Sequence, residues 1–144
     1  MDPGLNEETK MVSIKHIAGI GEISARKLAW AGIDSVQELL ERGATPRGRR
    51  KIAGETGLSS KRILDWVNHV DLFRIPGVGE DYAVLLEDAG VDTILELARR
   101  DPEHLRRILE SVNEEKSIVK RLPSVDRLSE WIKEAQKLPR KVEY

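Results

Sequence analysis

The sequence predicts an all-α fold, and three observations support this prediction. Apolar residues recur at every third or fourth position, and no segment alternates apolar with polar residues as a strand does. Residues that begin or end helices divide the chain at short intervals. An internal repeat then separates these segments into two similar sets. We therefore predict about ten short helices, five in each of two repeats.

The internal repeat covers most of the chain. Residues 17–42 read IAGIGEISARKLAWAGIDSVQELLER, and residues 75–100 read IPGVGEDYAVLLEDAGVDTILELARR. Gly19 corresponds to Gly77, which gives an offset of 58 residues. Each copy therefore looks like one structural unit that is used twice.

The offset changes toward the end of each copy. KRILDWV around Trp66 resembles DRLSEWI around Trp131, at an offset of 65 residues. The larger offset predicts a short insertion near residues 113–120 of the second copy. We expect repeats at 12–70 and 71–138, with flexible tails at 1–11 and 139–144.

Helix boundaries are marked by glycines and by capping residues. Gly32 and Gly90 stand where a helix end favours a residue in the left-handed conformation. Asp34 and Asp92 are natural N-caps for the next helix, and Ser35 with Glu38 is an alternative capping box. Further boundaries are expected at Gly21 and Gly79, at the basic stretch 45–51, at Gly57 and Ser59, at Asp101-Pro102, at Ser124 and at Pro139.

The composition excludes several functional classes. The 144 residues include no cysteine, so a disulfide framework, a Cys-ligated metal centre and a thiol nucleophile are impossible. Lys and Arg number 24, and Asp and Glu number 25, which gives a net charge of -1 and excludes a uniformly basic surface. Aromatic residues make up 4%, which argues against stacking platforms for single-stranded nucleic acid.

No segment indicates a membrane protein, a secreted protein or an enzyme. No apolar run approaches the roughly 20 residues that cross a bilayer. The N-terminal residues lack a signal-peptide pattern, so we expect a cytoplasmic protein. His16, His69 and His104 are widely spaced and lack a metal-ligand spacing such as HExxH. We expect no catalytic residue, no metal and no cofactor.

The two glycine pairs lie in segments that resemble a known motif. Residues 72–79, LFRIPGVG, resemble the helix-hairpin-helix motif, in which Pro-Gly-apolar-Gly precedes an apolar helix that ends in Gly. Residues 14–21, IKHIAGIG, match less closely because Ala18 replaces the proline. The complete repeat plan also resembles an uncharacterised family, a domain of unknown function with two helix-hairpin-helix repeats. The resemblance implies a SAM-like, helix-hairpin-helix architecture for each repeat.

The resemblance also implies binding of nucleic-acid backbone. In relatives among DNA ligases, repair polymerases and junction-binding proteins, two hairpins hold two phosphates without reading bases. The motif leaves amides uncovered at a helix N-terminus, which favours an anion. We expect the glycines to adopt positive φ and the apolar residue between them to face the core. The corresponding residues are Gly19, Ile20 and Gly21 in the first hairpin and Gly77, Val78 and Gly79 in the second.

The distribution of charge favours the first repeat as the site of a polyanion. Residues 15–51 carry eight basic and four acidic residues, whereas residues 71–103 carry three basic and nine acidic ones. Glu22 and Glu80 follow the two hairpins, where we expect them to repel a phosphate. A second basic cluster comprises Lys116, Lys120 and Arg121. The predicted nucleic-acid site comprises the first hairpin with Arg26, Lys27, Arg47, Arg49, Arg50 and Lys51.

Three functions are compatible with these features. The first is weak, sequence-independent binding of nucleic-acid backbone through the first repeat. The second is a protein–protein adaptor that uses the acidic second repeat as its contact surface. The third is a structural accessory domain of a larger assembly. None of the three requires catalysis.

Overall fold

The protein consists of α-helices joined by short turns. The computed structural model describes residues 4–144, in which no strand is present, so the all-α prediction is confirmed. Two 3-10 helices, Ile14–His16 and Leu72–Arg74, precede the second and sixth α-helices. The α-helices are α1 (Glu7–Lys10), α2 (Gly21–Trp30), α3 (Val36–Arg42), α4 (Pro46–Thr56), α5 (Ser60–Asp71), α6 (Glu80–Asp88), α7 (Ile94–Ala98), α8 (Pro102–Lys116) and α9 (Val125–Lys137).

The same order of elements occurs in both halves of the chain. In each half, a 3-10 helix, a turn with two glycines and four α-helices follow one another. The four α-helices are α2 to α5 in the first half and α6 to α9 in the second. α1 lies within the predicted N-terminal tail and is additional to the predicted helices. That the two halves superpose as helix-hairpin-helix units stays a prediction.

One hydrophobic core joins the two halves. Ile17 and Trp66 of the first half and Leu86 and Trp131 of the second belong to the same cluster of buried side chains. α5 contacts α3 and α4 in its own half and α6 in the other. Burial of this shared apolar surface is the main term that stabilises the fold, so we expect the halves to unfold together.

Capping residues fix the helix beginnings. The hydroxyl group of Ser35 accepts a hydrogen bond from the amide of Glu38 in a capping box, and the hydroxyl group of Thr93 accepts one from the amide of Glu96 at the start of α7. Asp34 and Asp92 are therefore not the caps, because they lie one residue too far from the amide at the third helical position. The predicted beginnings at Ser59, Asp101 and Ser124 are confirmed.

The ends of α2 and α6 are built alike. Gly32 and Gly90 have φ values of 85° and 89°, as predicted for left-handed residues that follow a helix. Arg42 donates a hydrogen bond to the carbonyl oxygen of Ala31, and Arg100 donates one to that of Gly90 at 3.2 Å. Arginines at equivalent positions thus bind carbonyl groups just beyond the last residues of α2 and α6.

Both predicted tails contact the rest of the protein. Leu5 and Val142 are buried in the core. The amide of Glu143 donates to the carbonyl oxygen of Ala44 at 2.7 Å. The hydroxyl group of Tyr144 donates to Asn68 Oδ1 at 2.9 Å. Residues 1–3 of the predicted N-terminal tail lie outside the described residues.

Candidate nucleic-acid interface

The two glycine pairs form tight turns before α2 and α6. We name residues 18–21 the first glycine turn and residues 76–79 the second glycine turn. Ile20 and Val78 are buried, so the predicted inward orientation of the residue between the glycines is confirmed. Gly19 and Gly77 have φ values of 86° and 93°, which glycine adopts without a steric penalty. Ile20 can therefore offer a ligand only its backbone.

The second glycine of each turn differs between the copies. Gly21 has a φ of 73°, whereas Gly79 has a φ of -98° and a ψ of -165°. The expectation of positive φ at Gly79 is therefore wrong. The physical reason is that Gly79 is the extended N-cap of α6, whereas α2 has Ile20 as its N-cap and begins at Gly21 itself.

The helices that follow the two glycine turns lack side-chain caps. Neither Ile20 nor Gly79 makes a capping hydrogen bond, whereas Asn, Ser, Thr or Asp caps the other seven α-helices of residues 4–144. Within the described chain, the amides of Gly19, Gly21, Gly77 and Gly79 also have no hydrogen-bond acceptor. Two helix N-termini therefore retain donors and a partial positive charge.

An equivalent tryptophan packs beneath the first glycine of each turn. A Cβ atom built on Gly19 would lie 3.9 Å from Trp66 Nε1, and one built on Gly77 would lie 3.3 Å from Trp131 Nε1. Both tryptophans are buried in the core. The last helix of each half, α5 or α9, therefore lies directly behind the glycine turn of the same half.

An arginine accompanies each of these tryptophans. The guanidinium of Arg62 lies 4.9 Å from the ring centroid of Trp66, and that of Arg127 lies 5.7 Å from that of Trp131. Arg127 Nη2 also lies 2.8 Å from the Cβ position built on Gly77. Neither arginine was predicted as a site residue. The available signal was their offset of 65 residues, which equals that of the tryptophans.

Glu80 crosses from the second glycine turn to the first. Its carboxylate accepts a hydrogen bond from the amide of Ala18 at 2.5 Å and another from His69 Nε2. The second turn has Pro76 at the position equivalent to Ala18, and proline has no N–H group. Because the first copy has alanine in place of this proline, it has an amide donor at this position. The charge of Glu80, expected to repel a phosphate at the second turn, is instead bound within this network.

The ring of His69 lies between two carboxylates. It is buried, with Nε2 against Glu80 and Nδ1 against Glu87. Burial alone lowers the pKa of His69, but hydrogen bonds to the two carboxylates and their negative charges outweigh burial and raise the pKa to about 9. His69 is therefore protonated at neutral pH. Its positive charge is balanced by Glu80 and Glu87, two acids that the charge count places on an acidic surface.

Basic and acidic residues both lie at the second glycine turn. A cleft of about 830 Å³ is lined by the turn, by the bases Lys120 and Arg121, and by the acids Glu80 and Asp81, and Arg127 stands beside it. Lys116, the third member of the predicted second cluster, instead pairs with Asp88 at 3.4 Å. The predicted insertion therefore brings positive charge to a turn that looked acidic in the sequence.

The basic stretch 45–51 begins α4, as predicted. Thr45 Oγ1 accepts a hydrogen bond from the amide of Gly48 at 3.0 Å, so this helix N-terminus is already capped. The side chains of Arg47, Arg50 and Lys51 are exposed. Any contact with a phosphate here would therefore come from these side chains more than from the helix backbone.

Arg49 is placed differently from its neighbours. It is buried and donates hydrogen bonds to the carbonyl oxygens of Gly43 at 2.8 Å and Glu143 at 2.6 Å. Burial lowers the pKa of Arg49, although a guanidinium stays protonated in proteins. Arg49 therefore connects the C-terminal segment to α4. It is not available to contact a phosphate, so its prediction as a site residue is wrong.

The exposed face of α2 contains the remaining predicted residues. Arg26 pairs with Glu22 at 3.0 Å, and both side chains are largely exposed, so the pair contributes little to stability. Lys27 forms no ion pair within the described residues. Trp30 lies on the same face, fully in solvent, and was not predicted as a site residue.

The described residues indicate neither a metal centre nor a membrane span. Across residues 4–144, no three His, Cys, Asp or Glu side chains are grouped as metal ligands. In the same part of the chain, none of the helices has the length and apolar character that crossing a bilayer requires.

One known family matches both halves of the chain. Residues 18–138 match the model of a family described as a domain of unknown function, DUF4332. The chain belongs to this family. The match begins at the first glycine turn and ends just after α9. No curated protein and no solved structure matches this DUF4332 chain. Its function must therefore be inferred from the site.

Proposed function

We propose that this DUF4332 protein binds nucleic-acid backbone without sequence preference. The observation that carries the proposal is the contrast in helix capping. Seven α-helices of the described chain have side-chain caps, whereas α2 and α6, which follow the glycine turns, have none. An uncapped helix N-terminus favours an anion, and a phosphate oxygen would accept hydrogen bonds from the free amides.

The resemblance to helix-hairpin-helix proteins supports the same proposal. In each copy, a 3-10 helix leads through a glycine turn with a buried central residue into an α-helix. We propose that the first glycine turn is such a hairpin and holds one phosphate. The second glycine turn, with Lys120, Arg121 and Arg127 beside it, is the second contact.

The exposed basic residues of the first half supply the long-range attraction. Arg47, Arg50 and Lys51 form no ion pair in the part of the chain that the structure describes. Their charges are therefore available to a phosphate. Contacts of this kind release counterions from the nucleic acid and carry no base information.

A salt titration of binding to a generic DNA duplex tests the proposal. If about two to four phosphates are contacted, log K falls with log salt at a slope of about -2 to -4. The double variant Arg47→Ala/Arg50→Ala is expected to weaken binding to all sequences alike and to flatten this slope. Glu22→Lys is expected to strengthen binding, because it removes a negative charge beside the first glycine turn.

A matched control separates local charge from net charge. Arg99→Ala/Arg107→Ala removes two exposed arginines from the second half and is expected to leave the affinity nearly unchanged. Arg49 is left intact because its substitution would break buried hydrogen bonds. If the wild-type protein binds no duplex even at about 50 mM salt, where phosphate-driven affinity is high, the proposed function is wrong.

A further inference from the structure

The exposed face of α2 combines an aromatic ring with positive charge. Trp30 is 93% exposed and Ile23 is 70% exposed. Positions 23, 26, 27 and 30 line one face of a helix, so Arg26 and Lys27 lie between these two side chains. The other two tryptophans of the chain are buried. A tryptophan left in water beside cations is a feature of surfaces that contact ligands.

The second half shows why this face is open. Asp88 is equivalent to Trp30 at the offset of 58, and Lys116 at the end of α8 pairs with it. α8 has 15 residues, whereas α4 has 11 and ends at Thr56. The missing turn of α4 leaves a cleft of about 230 Å³, which is lined by Arg26, Lys27, Trp30, Glu55 and Thr56.

The charge of this cleft suits an anion beside an apolar surface. Its one carboxylate, Glu55, lies 3.5 Å from Arg42, which offsets its charge. Lys27 has no ionic partner in the described chain, and the pair of Arg26 with Glu22 is exposed and weak. A ligand with a flat apolar group between phosphates would match both the ring of Trp30 and the two cations.

We infer that Trp30 stacks on an unpaired base of a single-stranded nucleic-acid segment, and that Arg26 and Lys27 contact its flanking phosphates. This inference rests on the proposed function and adds a preference to it. Bases of a duplex are stacked on their neighbours, whereas an unpaired base offers its face to an aromatic side chain. The low aromatic content argued against a stacking platform, but one exposed ring is enough for one base.

The experiment compares single-stranded and duplex binding by the full chain. The probes are an oligothymidylate of about 12 nucleotides and the duplex of the same length. We expect the single strand to bind more tightly and to quench the fluorescence of Trp30. Trp30→Ala is expected to weaken single-strand binding by roughly 5- to 100-fold and to leave duplex binding within about twofold.

Two further variants identify the physical origin of the effect. Trp30→Phe keeps an aromatic face and is expected to retain part of the single-strand affinity. Ile23→Ala removes exposed apolar surface from the same helix face without removing a ring, and is expected to change the affinity little. The melting temperature of each variant shows whether it is folded, and substitutions at such exposed positions are expected to leave it unchanged.

The outcomes separate this inference from the proposed function. If Trp30→Ala binds the single strand as tightly as the wild type, or if no quenching occurs, the inference is wrong while salt-dependent duplex binding still supports the proposed function. If the loss on Ile23→Ala equals that on Trp30→Ala, exposed apolar area and not ring stacking accounts for the affinity, and the inference is also wrong. If neither nucleic acid binds, both proposals are wrong.

Discussion

The first glycine turn has an amide donor at Ala18, whereas the second has Pro76 and no donor at the same place. The carboxylate of Glu80, from the second copy, binds that donor. Glu22, its equivalent in the first copy, points into solvent and pairs with Arg26. Two turns with one sequence pattern therefore occupy different environments, because one copy must contact the other.

Departures from the repeat mark the places where the copies meet or where a surface is left open. Ala18 in place of proline lies at the contact between the turns. Lys116 at the end of the longer α8 pairs with Asp88, whereas the shorter α4 leaves Trp30 exposed.

Raising the pH is expected to have the largest effect on this contact. The pKa of His69 is about 9 in the folded protein, against an ordinary value of 6.5. The stabilisation from the protonated ring is fully present below about pH 6.5 and is lost as the pH rises through 9. The free energy of unfolding, measured in urea, is expected to fall by about 2–3 kcal/mol between these pH values.

The variant His69→Gln is the control for this titration. It keeps a hydrogen-bond donor of similar size but has no proton to lose in this range. We expect it to be less stable than the wild type near pH 6 and to show a nearly flat profile. A slope as steep as that of the wild type would show that another group is responsible.

Ala18→Pro tests the contact from the other side. Ile17 is extended, with a φ of -86° and a ψ of 123°, so the backbone before residue 18 accepts a proline. The substitution removes the donor to Glu80, and we expect a loss of about 1–3 kcal/mol in the free energy of unfolding. The matched variant Pro76→Ala adds an amide that faces no such carboxylate and is expected to cost under about 1 kcal/mol. Equal losses would contradict the asymmetry.

Gly21→Ala and Gly79→Ala sharpen the comparison further. No heavy atom lies within 4 Å of a Cβ atom built on either glycine, so the two sites differ mainly in φ. Alanine at Gly21, where φ is 73°, is expected to cost about 0.5–1 kcal/mol, because the strain exceeds the entropy that the unfolded chain loses. Alanine at Gly79, where φ is -98°, is expected to change stability by less than about 0.5 kcal/mol. Thermal melts of the pair give the difference directly.

Sequence patterns predicted the features that depend on near neighbours. The caps at Ser59, Asp101 and Ser124 act over three residues, and so their sequence signals are complete. For α3, the sequence allowed either Asp34 or Ser35 as the N-cap. The structure shows Ser35, because its hydroxyl group is the one within reach of the amide of Glu38. The all-α class follows from the same short-range periodicity.

Features of the site that join distant residues had no such signal. Glu80 and Ala18 are 62 residues apart, and Arg49 reaches Glu143 across 94 residues. A charge count assigned Glu80 and Glu87 to an acidic surface because it contains no information about their common partner, His69. The exposure of Trp30 likewise depends on where α4 ends, which is a property of the packed helices.

The smallest predicted effect concerns the ends of α4 and α8. The C-cap of α4 is Gly57, with a φ of 77°, whereas the C-cap of α8 is Ser117, with a φ of 50°. Among residues 4–144, Ser117 is the only residue other than glycine that has a positive φ. A serine is strained in this conformation and a glycine is not, although glycine has more freedom to lose on folding.

We therefore expect Ser117→Gly to stabilise the protein by about 0.5 kcal/mol, since relief of strain exceeds the added entropy of the unfolded chain. The reciprocal change, Gly57→Ser, is expected to destabilise it by a similar amount, because no heavy atom lies within 4 Å of a Cβ atom at Gly57 and only the backbone conformation opposes it. Paired thermal melts measure both shifts. A lower melting temperature for Ser117→Gly would mean that the serine side chain stabilises the loop between α8 and α9, and the two helix ends would then differ in more than their φ angles.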